Sequence, residues 1–176
     1  YLESHDEETV AHRTMGSIIK STIGATVLST TMGVPMFYEG QEFNRSKAQQ
    51  DQTEASNTLD FSLATSNSQM LNFVKTVLNL RKNNSQFKPL ADPSGGYVTN
   101  ITGTDTANRK VGYLLGDKYV VLVNTSGVST TFTLPTGTWK CLGQAQSGNA
   151  TGDNTTTTFP DVSGWGTSTT NWGVRV

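Results

Sequence analysis

The apolar residues of this chain change their spacing once, near Phe87, and that change narrows the folds open to it. Before it they recur every three or four residues in two stretches. The first runs from Thr14 to about Thr31 (Met15, Ile18, Ile19, Ile23, Thr26, Val27), the second from Ser66 or Ser68 to about Asn83 (Met70, Phe73, Val74, Val77, Leu78). That spacing is one face of a helix. After Phe87 apolar and polar residues alternate in short runs, at Val98–Thr102, Lys110–Leu115, Tyr119–Asn124, Thr130–Leu134, Thr138–Leu142, Thr155–Phe159 and Trp172–Val176. Alternation is the period of a strand. Pro89, Pro93 and Gly95-Gly96 stand between and break both periods, so two domains are expected, 1–86 and 87–176.

Each half has further detail. Residues 1 to about 6 read as the end of a strand, with Ser4-His5-Asp6 at its tip. Val34-Pro35-Met36-Phe37-Tyr38 is a short apolar run between Gly33 and Gly40, suited to a strand buried on both faces. Strand, helix and strand then make one βαβ crossover with parallel strands. Residues 41 to about 66 are polar and irregular, and a loop of that length is usually functional or mobile. In the second half, Leu115-Gly116-Asp117-Lys118 reads as a two-residue hairpin with glycine where a type II′ turn needs it. The runs together predict an antiparallel Greek-key sandwich.

Charge and composition exclude several functions. Thirteen basic against 14 acidic residues offer no basic surface for nucleic acid or an anionic membrane. No apolar run approaches the ~20 residues of a membrane span. Cys141 is the sole cysteine, which rules out an internal disulfide and a cysteine-based zinc site. The Thr, Ser, Gly and Asn bias after Gly95 is common in exported β-rich domains, so an extracellular or periplasmic location is expected. Asn100, Asn124 and Asn149 open Asn-x-Ser/Thr sequons, which matter only in a eukaryotic secretory host.

The chemistry-bearing residues gather in the first half. His5 and Asp6 are adjacent at the C-terminal tip of the expected parallel strand, where α/β barrels build their active sites. The plainer use of Asp6, Glu7 and Glu8 is to complement the dipole of the next helix. Glu3-Ser4-His5-Asp6, followed by Gly33-Val34-Pro35-Met36-Phe37-Tyr38-Glu39-Gly40-Gln41-Glu42, resembles the α-amylase family, glycoside hydrolase family 13. The first is similar to that family's motif at the end of barrel strand 7, the second to its strand 8 segment. Thr58-Leu59-Asp60-Phe61 and Leu78-Asn79-Leu80-Arg81-Lys82 resemble the motif before the last barrel helix and that helix itself.

The resemblance implies an α/β plus all-β chain: the last two βα units of a (β/α)8 TIM barrel, then a Greek-key β-sandwich. It implies that Asp6 is the third active-site carboxylate, holding the sugar ring and favouring an oxocarbenium-like transition state, and that His5 hydrogen-bonds the same sugar. The nucleophile and the acid/base, about 5–5.5 Å apart in a retaining enzyme, would come from strands 4 and 5. The chain's partners would then be an α-glucan and the missing N-terminal part of the catalytic barrel. No cofactor or metal is implied. Glu7, Glu8 and Glu42 match neither absent motif, and Glu42 reads as an anchor of its loop. Tyr38 and Phe43 offer sugar-stacking surfaces or, more commonly, core packing. His12 reads as a surface residue before the helix and Cys141 as a small strand hydrophobe. Trp139, Trp165 and Trp172 are a starch-binding face if exposed together and core if buried, burial being the commoner fate. The rival reading of the whole chain is a non-catalytic α-glucan-binding or structural module.

Overall fold

A computed structural model describes residues 1–49, 53–88, 98–116, 118–126, 128 and 130–136, together with the backbone of three later strands. The order is α1 (Val10–Arg13), α2 (Ile18–Thr30), α3 (Glu54–Asn57), α4 (Ser62–Ser66) and α5 (Ser68–Asn83). There follow β1 (Val98–Asn100), β2 (Lys110–Leu115), β3 (Tyr119–Asn124), β4 (Trp139–Ala145), β5 (Thr155–Thr156) and β6 (Asn171–Arg175). Short 3-10 turns stand at Gln41–Phe43, Ser85–Phe87 and Thr106–Asn108.

The first long helix starts later than its apolar spacing predicts. Met15 and Gly16 both take positive φ, 54° and 78°, and Ser17 then caps α2 through its hydroxyl. Met15, expected on the apolar stripe, lies outside the helix and is 91% exposed. The face that α2 buries is largely hydroxylic: Ser21, Thr22, Thr26, Ser29 and Thr30 beside Ala25 and Leu28. Thr22, Thr26, Ser29 and Thr30 each donate to the carbonyl four residues back at 2.7–2.8 Å. This bonding makes their burial tolerable.

Helix α5 matches its predicted stripe, burying Met70, Phe73, Val74 and Val77, although its N-cap is Asn67, between the two serines expected to cap it. Met70 and Val74 pack on Ala25 of α2, with Phe37 and Leu78 at the margin. Arg81 is buried and reaches across to the end of α2. It donates to the carbonyls of Ser29 at 3.0 Å, Thr31 at 2.7 Å and Gly33. Those carbonyls lack helical partners of their own, so a planar, permanently charged fork suits the position.

Two expected strands are not strands. Residues 1–6 and 34–38 belong to no ladder among the described residues, so the βαβ crossover is not formed. A parallel strand in a barrel needs neighbours on both sides, and no described strand lies beside either segment to supply them. Val34 is 96% exposed and Met36 45%, which puts apolar side chains in solvent where a barrel would cover them. The irregular segment 41–66 also proves more ordered than predicted, since it holds a 3-10 turn and helices α3 and α4.

The sheet is six-stranded in the order β1-β2-β3-β6-β4-β5. Strands β1, β2 and β3 form an antiparallel meander, and β6 runs parallel to both β3 and β4, so the sheet is mixed rather than wholly antiparallel. Leu115 faces Tyr119, one step beyond a two-residue hairpin, and Gly116 holds the expected positive φ of 59°. The run Thr130–Leu134 makes a single bridge, Thr133 to Thr102, while Phe132 and Leu134 still pack inward. Gly112 is obligatory in β2, because a Cβ there would stand 2.6 Å from Ile101.

Strand β3 is buried on both faces. Tyr119, Val121 and Val123 join Tyr113, Leu115 and Phe87 against Ile23 and Val27 of α2 and Leu80 of α5. Val120 and Leu122 face Ile101, Phe132 and Leu134 on the other side. Polar contacts cross residue 87 as well, with Tyr113 to Thr30 at 2.7 Å and Tyr119 to Asn84 at 2.6 Å. Burial pushes the Tyr113 phenol up to about 12, its hydrogen bond with Thr30 pulling the other way. Between pH ~10 and ~12 the unfolded chain loses this proton and the folded chain keeps it. Stability should therefore fall by roughly 2–3 kcal/mol over that interval. Urea unfolding across the interval should show the fall in the wild type and a shallower one in Tyr113→Phe.

Candidate functional site

The N-terminal segment turns instead of extending. The amide of Asp6 donates to the Ser4 hydroxyl at 3.2 Å and that of Glu7 to the Ser4 carbonyl at 3.3 Å. The turn leads into α1, where the Thr9 hydroxyl accepts from the His12 amide as N-cap. The amide of Val10 donates to Glu3 Oε2 at 2.6 Å. Glu3, not the Asp6–Glu8 cluster, thus serves the first amide of this helix.

The four carboxylates that crowd the opening of the sequence are sorted by this geometry. Glu3 is 1% exposed, and burial holds its carboxyl above the usual range, opposed by the Val10 amide and by the fields of Arg13 and Arg45. Its second oxygen, Oε1, is buried without a partner among the described residues. Glu7 pairs with Arg13 at 3.0 Å, and Glu8 pairs with Arg13 and His12, each at 3.4 Å. Asp6 alone projects outward, beside His5, with Nε2 to Oδ2 at 3.1 Å and side chains 79% (His5) and 75% (Asp6) exposed. A carboxylate and an imidazole side by side, open to solvent, suit a ligand rich in hydroxyls. His12 lies within α1 and is exposed, taken up by Glu8.

The segment likened to strand 8 meets this turn only at its far end, where Glu42 and Arg45 act on the charge of Glu3. Gly40 has φ of 87°, and a Cβ there would sit 2.7 Å from Arg45, so glycine alone fits. The backbone then enters the Gln41–Phe43 turn, where Gln41 and Phe43 are buried and Glu42 is half-buried. Anchoring here is carried by neighbours of Glu42. Gln41 Oε1 accepts from the Tyr38 amide at 3.3 Å. Arg45 is buried, donates to the Ser56 carbonyl at 3.0 Å, and lies 5.3 Å from the Tyr38 ring centre. Phe43 faces Phe61 at 6.3 Å. Asp60 accepts from the Ser62 amide at 2.9 Å where α4 starts, and hydrogen bonding from the Ser62 side chain, then from its amide, holds the Asp60 carboxyl below its usual range.

Sequence reasoning missed Glu3, Thr9 and Lys47 as members of this site. Lys47 is 3% exposed, and its ammonium donates to the His5 carbonyl at 2.9 Å. Its amide donates to the Thr9 hydroxyl at 2.8 Å, and the Thr9 amide donates back to the Lys47 carbonyl at 3.0 Å. The one available signal was a Thr followed by an apolar helix start; burial of a lysine from a polar loop leaves no local trace. Among the described residues no three His, Cys, Asp or Glu side chains gather where they could hold a metal ion, and no helix is long and apolar enough to cross a membrane. The side chains of Trp139, Cys141 and Trp172, and all of Asn149 and Trp165, lie outside the described residues.

The fold is one found within solved pullulanases and within the catalytic module of a glycogen-degrading protein. A pullulanase from Bacillus acidopullulyticus aligns with 65% of this chain at 22% identity and a TM-score of 0.57, the match covering 16% of the pullulanase. A pullulanase from Anoxybacillus sp. LM18-11, solved with maltotetraose, aligns with 67% at 19% identity and 0.54, over 20% of its length. The catalytic module of SpuA, a glycogen-degrading pneumococcal virulence factor solved with an inhibitor, aligns with 65% at 18% identity and 0.52, over 25% of its length. The chain therefore matches a quarter or less of these proteins. No protein-family model matches it, and no curated protein does.

Proposed function

We propose that these residues belong to a retaining α-glucan glycoside hydrolase of the α-amylase family. Residues 1–86 would form the end of its (β/α)8 barrel and 87–176 its C-terminal β-sandwich. The observation that carries this reading is one turn that presents His5 and Asp6 together to solvent, in a fold shared with pullulanases and a glycogen-degrading module. Asp6 holds the sugar at the reacting position and stabilises its developing positive charge, while His5 hydrogen-bonds a hydroxyl of the same ring. The nucleophile and the acid/base stand on other barrel strands, because Glu7 and Glu8 are engaged by α1 and Glu3 is buried. The Thr-, Ser-, Gly- and Asn-rich composition after Gly95 supports a location outside the cytoplasm.

The reading is tested by activity on soluble starch. The 176-residue chain should release no reducing sugar, whereas the polypeptide that carries it with the other two carboxylates should release sugar as the α-anomer, followed by proton NMR. Sustained release by the 176-residue chain would overturn the division of carboxylates. A β-anomeric first product would overturn the retaining assignment.

A further inference from the structure

We propose that Lys47 is a positioning residue that sets the aim of His5 and Asp6, an inference that rests on the role given to Asp6 above. The two side chains are largely exposed, so no packing holds them, and their direction depends on the backbone that carries them. Beyond the bonds that Ser4 makes within the turn, to the amides of Asp6 and Glu7, that backbone is fastened at two further points. Glu3 binds the Val10 amide at the base of the turn, and Lys47 binds the His5 carbonyl near its tip. The carbonyl belongs to the peptide unit joining His5 to Asp6, so a charged donor on it opposes rotation of the unit that orients both. The Lys47 backbone is itself fixed by two-way bonding with Thr9, which caps α1.

The expense of this arrangement points to its purpose. A buried ammonium loses hydration that a carbonyl only partly replaces. No carboxylate lies within ion-pair distance of Lys47 among the described residues. An apolar side chain would satisfy packing at lower cost, so the ammonium is explained by what it holds. Forty-two residues separate the partners in sequence, which ties the irregular segment after Gly40 to the His5–Asp6 turn.

The test is a double-mutant cycle in the full polypeptide, with kcat/KM on a maltooligosaccharide measured per folded enzyme. Lys47→Met should lower kcat/KM by about 10–100-fold, the scale of a small misplacement at a reacting centre. In the Asp6→Asn background the same change should cost less than about threefold, because the residue it positions is already gone. Lys47→Arg, which keeps a cationic donor, should recover activity to within about threefold of wild type. Equal losses in both backgrounds, or a silent Lys47→Met beside an inactive Asp6→Asn, would overturn the positioning role and leave the catalytic reading intact. An Asp6→Asn enzyme as active as wild type would remove both. Should Lys47→Met fail to fold, Lys47→Gln takes its place in the cycle, and the same losses support or overturn the role.

Discussion

Asp6→Asn in the full polypeptide should lower kcat on a maltooligosaccharide by about 10²–10³-fold, the loss typical when a group aimed at transition-state charge is removed. The substitution preserves size and shape while deleting the charge and turning one acceptor oxygen into an NH2 donor. KM should move by less than about threefold, because the lost interaction is made mainly in the transition state. Within these 176 residues Asp6 is 75% exposed, where water screens its field. A large effect therefore requires the rest of a barrel to close over it. A loss below about tenfold would mark Asp6 as a surface partner of His5 and favour the glucan-binding module over the enzyme.

Local signals carried well wherever structure depends on neighbours in sequence. Strands β2 and β3 fall on the residues that alternation and Gly116 predicted, and α5 follows its stripe from Met70 to Val77. The failures have non-local causes. Tyr1–Asp6 and Val34–Tyr38 have strand-like composition, but a ladder needs a partner, and no described strand stands beside them. Alternation marks the strands of the second half without saying which pair, so the parallel seat of β6 between β3 and β4 was out of reach. The start of α2 is a local exception, set by positive φ at Met15 and Gly16 and by the Ser17 cap although the apolar spacing runs on through Met15.

The site divides in the same way. His5 and Asp6 stand side by side because they are neighbours in sequence, but on a turn and not at the strand tip expected for them. Glu3, Lys47 and Arg45 were not legible, because burial of a charged side chain is decided by residues far away in sequence. Arg81 makes the point sharply: it stands near the end of α5, while its hydrogen bonds serve α2.

Phe87→Ala should destabilise the protein by about 3–5 kcal/mol, the range for emptying a buried aromatic site. Phe87 is 1% exposed, its ring centre 4.6 Å from that of Tyr119, and its cluster draws on α2, α5, β2 and β3. It also stands where the apolar period changes, so its removal probes how the two halves communicate. If they share one core, urea unfolding followed by far-UV circular dichroism and by tyrosine fluorescence should show one transition, moved to lower urea by the same amount in both signals. Helical amides near Ile23 and Leu80 should lose hydrogen-exchange protection together with those of β3. Two separated transitions, with the helical signal unmoved, would instead make 1–86 and 87–176 independent folding units. The contacts of Tyr113 with Thr30 and of Tyr119 with Asn84 favour the single transition, since separating the sheet from the helices would break both hydrogen bonds.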